Sequence, residues 1–100
     1  MQKSYVYIAT NNTGTLYVGV TADIERRAGQ HFLREGSIFA SKYGIKHIVY
    51  VEDFSDIEVA IAREKQLKVW RRDKKLALIN RQNPAWNDLF MGPSALLRVT

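Results

Sequence analysis

The stretch YVYIATNNTGTLYVGVT, residues 5–21, decides the fold. Residues 5–10 and 15–21 are rich in β-branched and aromatic side chains and flank Asn11-Asn12-Thr13-Gly14, so the stretch reads as a β-hairpin. A three-residue loop closed by a glycine in the left-handed region fits Asn12-Thr13-Gly14. That loop pairs Asn11 with Thr15, hence Ala9 with Tyr17 and Tyr7 with Gly19. Tyr7 and Tyr17 then share one face as diagonal neighbours, and Ala9 and Gly19 leave a shallow space beside them. Val6, Ile8, Leu16, Val18 and Val20 fall on the opposite face and form core. Two strand tyrosines ordinarily pack beneath a helix. The small residues around this pair argue instead for a site.

Working outward, Asp23 is placed to cap a helix over about 24–34 that Gly36 stops. Its apolar positions Ile24, Ala28 and Phe32 are four apart, and Arg27 and His31, also four apart, lie at the edge of that stripe. Residues 37–45 read as a short helix or loop, and HIVYVE at 47–52 as a third strand. Ser55 or Asp56 caps a second long helix, 57–70. A third, 73–81, follows the basic break Arg71-Arg72-Asp73 and ends before Asn83-Pro84. The tail from Asn87, with Gly92-Pro93, reads as irregular, which divides the chain into a domain, 1–86, and a tail, 87–100. The order ββα(α)βαα is α+β, with a small, mostly antiparallel three-stranded sheet that helices must cover to be stable.

Glu64 breaks the pattern of its helix. It sits on the apolar stripe of Ile57, Ala60, Ile61 and Leu67, where a bare carboxylate costs several kcal/mol to bury. It must be paired, hydrogen-bonded or bound to a metal, and a structural salt bridge with Arg27 is the simplest alternative to a function.

Composition narrows the classes. One hundred residues make one domain, 46% of them hydrophobic and 25% charged, as in an ordinary globular protein. The absence of cysteine removes disulfides and thiolate metal sites and fits a cytoplasmic protein. No signal peptide or membrane-spanning run is visible. The net charge is +5 and the pI about 9.7, with the cations concentrated between Arg63 and Arg81, the footprint expected for a polyanionic partner. No histidine pair stands at metal spacing, and no glycine-rich phosphate loop or Gly-x-Ser-x-Gly elbow occurs.

Taken together, these residues resemble the GIY-YIG nuclease superfamily. Tyr5-Val6-Tyr7 and Tyr17-Val18-Gly19 resemble its two name motifs, with Tyr5 in place of glycine. Thr21 to Arg27 followed by His31 resembles its next helix, and Ala62 to Lys68 its metal-binding glutamate segment. The similarity continues through Asn83-Pro84-Ala85-Trp86-Asn87-Asp88-Leu89, as in small stand-alone bacterial members related to the N-terminal nuclease domain of the excinuclease. The excinuclease domain has a lysine after its second motif where this chain has Val20, and Asn80 is the candidate for a late active-site asparagine.

The resemblance implies a metal-dependent endonuclease that hydrolyses nucleic-acid phosphodiesters, DNA with RNA as the alternative, in repair or recombination. Glu64 would hold one Mg²⁺ or Mn²⁺. Tyr7, or His31 through Tyr7, would help deprotonate the attacking water, Tyr17 would orient phosphate or water, and Arg27 would stabilise the transition state. Lys42, Tyr43, Lys68, Arg71 and Arg72 are candidate nucleic-acid contacts, with Trp70 able to stack a base. A non-catalytic nucleic-acid-binding module on the same fold is the alternative, and a purely structural or protein-interaction domain the third.

Overall fold

The computed structural model describes residues 3–32 and 42–90. Strands β1 (Ser4–Thr10), β2 (Leu16–Thr21) and β3 (His47–Phe54) form one sheet, with helices α1 (Ile24–Phe32), α2 (Ile57–Val69) and α3 (Arg72–Gln82) packed on it. The strand order is β2-β1-β3 and both pairings are antiparallel. The expected α+β architecture is therefore the observed one. Gly36 and residues 37–41, and the tail beyond 90, lie outside the described residues. Among the described residues no helix is long and apolar enough to cross a membrane.

The hairpin forms in the expected register, with Ala9 opposite Tyr17 and Tyr7 opposite Gly19. Its turn is built by Asn11, whose Oδ1 accepts from the N–H of Thr13 and of Thr15, each at 3.0 Å. Gly14 takes φ 85°, which a residue with a Cβ rarely adopts. Asp23 caps α1 by accepting from the Arg26 N–H at 3.1 Å, and Asp56 rather than Ser55 caps α2.

Both faces of the sheet are core, and the shallow space expected beside Ala9 and Gly19 is filled, with Tyr7 and Ala9 fully buried. Val6, Ile8 and Val18 pack with Ala60 and Leu67 of α2 and Ile79 of α3. Tyr7 and Ala9 pack with Ile24 and Ala28 of α1 and with Ile45 and Ile48. The stripe on α2 is also narrower than its sequence suggests: Ala60 and Leu67 are buried, whereas Ile57 and Ile61 are exposed.

A bulge in β3 puts two consecutive residues on the same face. Ile8 pairs with Tyr50 and Ala9 with Ile48, so Val49 is the extra residue. Val49 and Tyr50 consequently both join the α2 side, while Ile48 joins the α1 side. Buried Asn83, just after α3, donates through Nδ2 to the Val49 carbonyl at 3.0 Å and to the Asn87 carbonyl at 2.8 Å, and its Oδ1 accepts from the Asn87 N–H. It thereby joins the bulge to the chain that follows α3. Residues 87–90 have no regular element but are tied to β3: the Leu89 N–H donates to Ile48 and Asp88 pairs with His47. Asn83→Ala removes three hydrogen bonds of a buried side chain, one of them to the carbonyl of buried Val49. It should lower unfolding free energy by about 1–3 kcal/mol, read as a lower urea midpoint at unchanged m-value.

Candidate active site

Tyr7 is the centre of the site, and its position follows from what faces it. Gly19 lies opposite on β2, and a Cβ there would stand 2.5 Å from Tyr7 Cζ and 2.8 Å from Cε1, closer still to the hydroxyl. The space left by glycine is thus filled by the phenol itself. Completely buried, Tyr7 projects its hydroxyl towards α1. Its Oη lies 2.8 Å from His31 Nε2, and the Arg27 guanidinium donates to it at 3.2 Å. The His31 ring meets Tyr17 edge-on as well, with centroids 5.4 Å apart, and Tyr17 lies 6.2 Å from Tyr7.

Four of the five expected residues are therefore gathered. His31 is deeper than the edge position inferred for it, at 1% exposure, because α1 rotates that side of the helix onto Tyr7. Gln30 was missed. It accepts from Arg27 Nε at 3.1 Å and so aims the guanidinium, and its i,i+3 spacing from Arg27 was the available signal.

Burial sets the electrostatics. It pushes the Tyr7 phenol up to about 12, against the pull of Arg27, and the charges of Tyr17 and Glu64 add to the rise. Burial, reinforced by the Arg27 charge, lowers His31 to about 4. Both groups are neutral at pH 7, so Nε2 can accept the Tyr7 proton. Nδ1 is buried without a hydrogen-bond partner among the described residues.

Glu64 acts on this group through its charge. It faces inward between Ala60 and Leu67, its side chain 12% exposed, and its partner is Lys68 at 2.7 Å. The alternative of a salt bridge with Arg27 does not occur. One mostly buried, hard oxygen donor beside a cation is compatible with Mg²⁺ or Mn²⁺, which accept one carboxylate with waters and substrate phosphate completing the shell. Among the described residues no three His, Cys, Asp or Glu side chains gather, so Glu64 would be the protein's contribution.

The other candidates are dispersed. Lys42 and Tyr43 are exposed and reach the hairpin turn, where Asn11 Nδ2 donates to the Tyr43 carbonyl at 2.6 Å. Arg71 is exposed at the corner between α2 and α3, and the Arg72 guanidinium lies 3.2 Å from where a Gly14 Cβ would be. Trp70 is not an open stacking surface. It packs on the α2-side core with Arg63 and Lys74 over its ring at 5.1 and 5.3 Å. Arg63 is itself clamped to Glu52, to which Tyr50 also donates. Asn80 is occupied by the Trp86 indole at 2.8 Å, on the α2-side core, rather than by the Tyr7 group.

Comparison with known proteins now bears on this geometry. Residues 3–77 match the model of the GIY-YIG catalytic domain. This chain belongs to the GIY-YIG family. It is 36% identical over 80 residues to a UPF0213 protein of Staphylococcus saprophyticus, covering 80% of this chain and 98% of that one. A UPF0213 protein of Staphylococcus aureus is 33% identical over 79 residues, covering 79% and 96%. The solution NMR structure of the UPF0213 protein BH0048 from Bacillus halodurans superposes with a TM-score of 0.55 at 28% identity, covering 84% of this chain and 89% of that one. Membership places the chain in a nuclease family whose substrates are nucleic acids.

Within this GIY-YIG domain, Gly19→Ala should lose about 1–3 kcal/mol of stability, the usual cost of overpacking, because the Tyr7 ring cannot retreat. Its Tyr7 and His31 side-chain NMR signals should shift more than those of the α2-side core. The lowered His31 pKa also makes stability depend on acid. Between about pH 6.5 and 4 the unfolded chain binds the proton that folded His31 refuses, so stability falls as pH drops through that window. The loss should reach up to about 3 kcal/mol, and His31→Gln should flatten this part of the profile in urea titrations at stepped pH.

Proposed function

We propose that this chain is a divalent-metal-dependent endonuclease hydrolysing phosphodiester bonds of DNA, with Tyr7, Tyr17, Arg27, His31 and Glu64 as its machinery. One observation carries the reading: the buried hydrogen-bonded series in which Arg27 donates to Tyr7 Oη, which in turn lies against the neutral His31 ring. A phenol in that arrangement can take a proton from water at its oxygen while passing its own to Nε2. Arg27, held by Gln30, is placed to meet the added charge of a pentacoordinate phosphorus. Tyr17, on the same face, orients the phosphate or the water.

The resting site is poorly poised for this transfer. Burial raises the Tyr7 pKa and lowers that of His31, so both shifts oppose passing a proton from the phenol to the imidazole. Charges brought in with the substrate and the metal would change that balance. A phosphate engaging Arg27 neutralises a charge that now lowers both the His31 and the Tyr7 pKa, and so raises the proton affinity of each. Bound at Glu64, Mg²⁺ or Mn²⁺ supplies positive charge to stabilise the phosphate and the leaving 3′-oxygen. The net charge at Glu64 would then change sign, and its effect on Tyr7 would turn from raising the pKa to lowering it.

Branched and flapped DNA are the substrates that a role in repair or recombination requires. With Mg²⁺ or Mn²⁺ on such substrates, Arg27→Ala and Glu64→Gln should each reduce cleavage by at least ~10²-fold, with Tyr7→Phe similarly impaired. Cleavage by the variants equal to that of the parent would overturn the assignment. Salt-dependent DNA binding with no turnover under either metal would instead establish the non-catalytic binding module.

A further inference from the structure

The free edge of β2 carries a cleft of ≈330 Å³ lined by Leu16, Tyr17, Val18, Lys68 and Lys75. At one end is Tyr17, whose ring touches His31, so the cleft opens onto the candidate site. At the other, Arg72 reaches over the turn at Gly14. Arg72 and Lys75 are three apart on α3 and therefore share a face. Lys68 and Lys75 make the cationic side of the cleft beside an apolar floor of Leu16 and Val18, with Arg72 beyond it at the turn, and none of the ion pairs among the described residues involves Lys75 or Arg72.

Lys68 belongs to two places at once. It lines this cleft, yet its ammonium is held on Glu64, the residue offered as metal ligand. The two positions differ in solvent access: the Lys68 side chain is 51% exposed, so it can leave, while Glu64 is enclosed and cannot follow. A long, flexible lysine can turn between neighbouring anions without disturbing the helix. An ammonium and a divalent cation on one carboxylate repel each other, so a metal on Glu64 weakens the hold on Lys68.

We propose that the β2-edge cleft seats the phosphodiester backbone of one nucleic-acid strand leaving the site, and that Lys68 exchanges from Glu64 to that backbone when Glu64 takes up a metal ion. Both parts rest on the nucleic-acid reading above, and the exchange part also on its metal dependence. In the resting protein Lys75 lines the cleft with its ammonium 3.5 Å from the Lys68 carbonyl, Arg72 stands at the adjoining turn, and Lys68 is neutralised by Glu64. With Glu64 ligating, Lys68 becomes a third phosphate contact. Metal and strand then favour each other's binding, because each relieves a conflict the other would meet. Nucleic acid is the occupant favoured over an acidic peptide, since the cleft continues from residues that would meet the reacting phosphate.

Two measurements on the whole protein test this. In EDTA, binding of a fluorescent single-stranded or flapped oligonucleotide is followed by anisotropy over a salt series. Lys75→Ala and Arg72→Ala should each weaken binding by roughly 5–10-fold and make the log–log salt slope shallower by about one contact. Parental affinity and slope in both would overturn the cleft. Without nucleic acid, Mn²⁺ binding is followed by loss of the free-ion EPR signal. Lys68→Gln keeps the stem and removes the competing charge, so it should bind Mn²⁺ roughly 5–10-fold tighter than the parent, while Glu64→Gln should not bind at this site. Unchanged or weaker Mn²⁺ binding by Lys68→Gln would overturn the exchange. If neither parent nor Lys68→Gln binds Mn²⁺, the exchange falls together with the metal-dependent reading, while the EDTA salt slopes still decide the cleft.

Discussion

The contact on which the rest depends is the close approach of the Tyr7 phenol to Gly19. No other residue at position 19 leaves room for the ring, and only with the ring there can its hydroxyl lie between Arg27 and His31. The constraint is one of register. A slip of one residue between β1 and β2 would bring Val18 or Val20 opposite Tyr7 and exchange the two faces of the strand. The Asn11 side chain, closing the turn on Thr13 and Thr15, therefore sets the site as much as it sets the hairpin.

Burial gives this contact its chemistry and its difficulty. It holds a phenol and an imidazole neutral side by side, which allows a proton to pass, and shifts their affinities in the directions that oppose its passing. Arg27 is ambivalent in the same way. It pulls the Tyr7 pKa down, which helps, and the His31 pKa down, which hinders. An anion on the guanidinium weakens both effects together. In the proposed reaction, charge complementarity with phosphate thus acts on proton transfer as well as on binding.

The hairpin was legible to the residue because turn chemistry is local: Asn11 and Gly14 suffice to give the pairing of Tyr7 with Gly19. Helix starts at Asp23 and Asp56 were legible for the same reason. Misjudged features depend on tertiary packing. The space beside Gly19 looked open because a sequence does not say which side chain will fill it. Ile57 and Ile61 looked like core because helical period alone cannot tell how wide a face the sheet covers. The Val49 bulge, and the role of Asn83 in satisfying it, are invisible without the partner strand. Among the site residues, Glu64 stood out as a carboxylate on a buried face. Its attachment to Lys68 follows the i,i+4 spacing on one helix, whereas the pairing with Arg27 expected from a buried carboxylate does not form.

Strand order explains how a carboxylate on one side of the sheet can influence a phenol on the other. Helix α2 packs on the Val6 and Ile8 face, whereas Tyr7 belongs to the α1 face. A central strand would keep those two sides apart. β2 is an edge strand, and at that edge Tyr17 from one side and Lys68 from the other line the same cleft. The charge of Glu64 contributes to the rise of the Tyr7 pKa, after burial. An edge strand is usually a liability, an unpaired rim open to wrong partners. Here the rim is where the two sides of the domain meet, flanked by lysines that discourage pairing with another strand and attract a phosphate backbone.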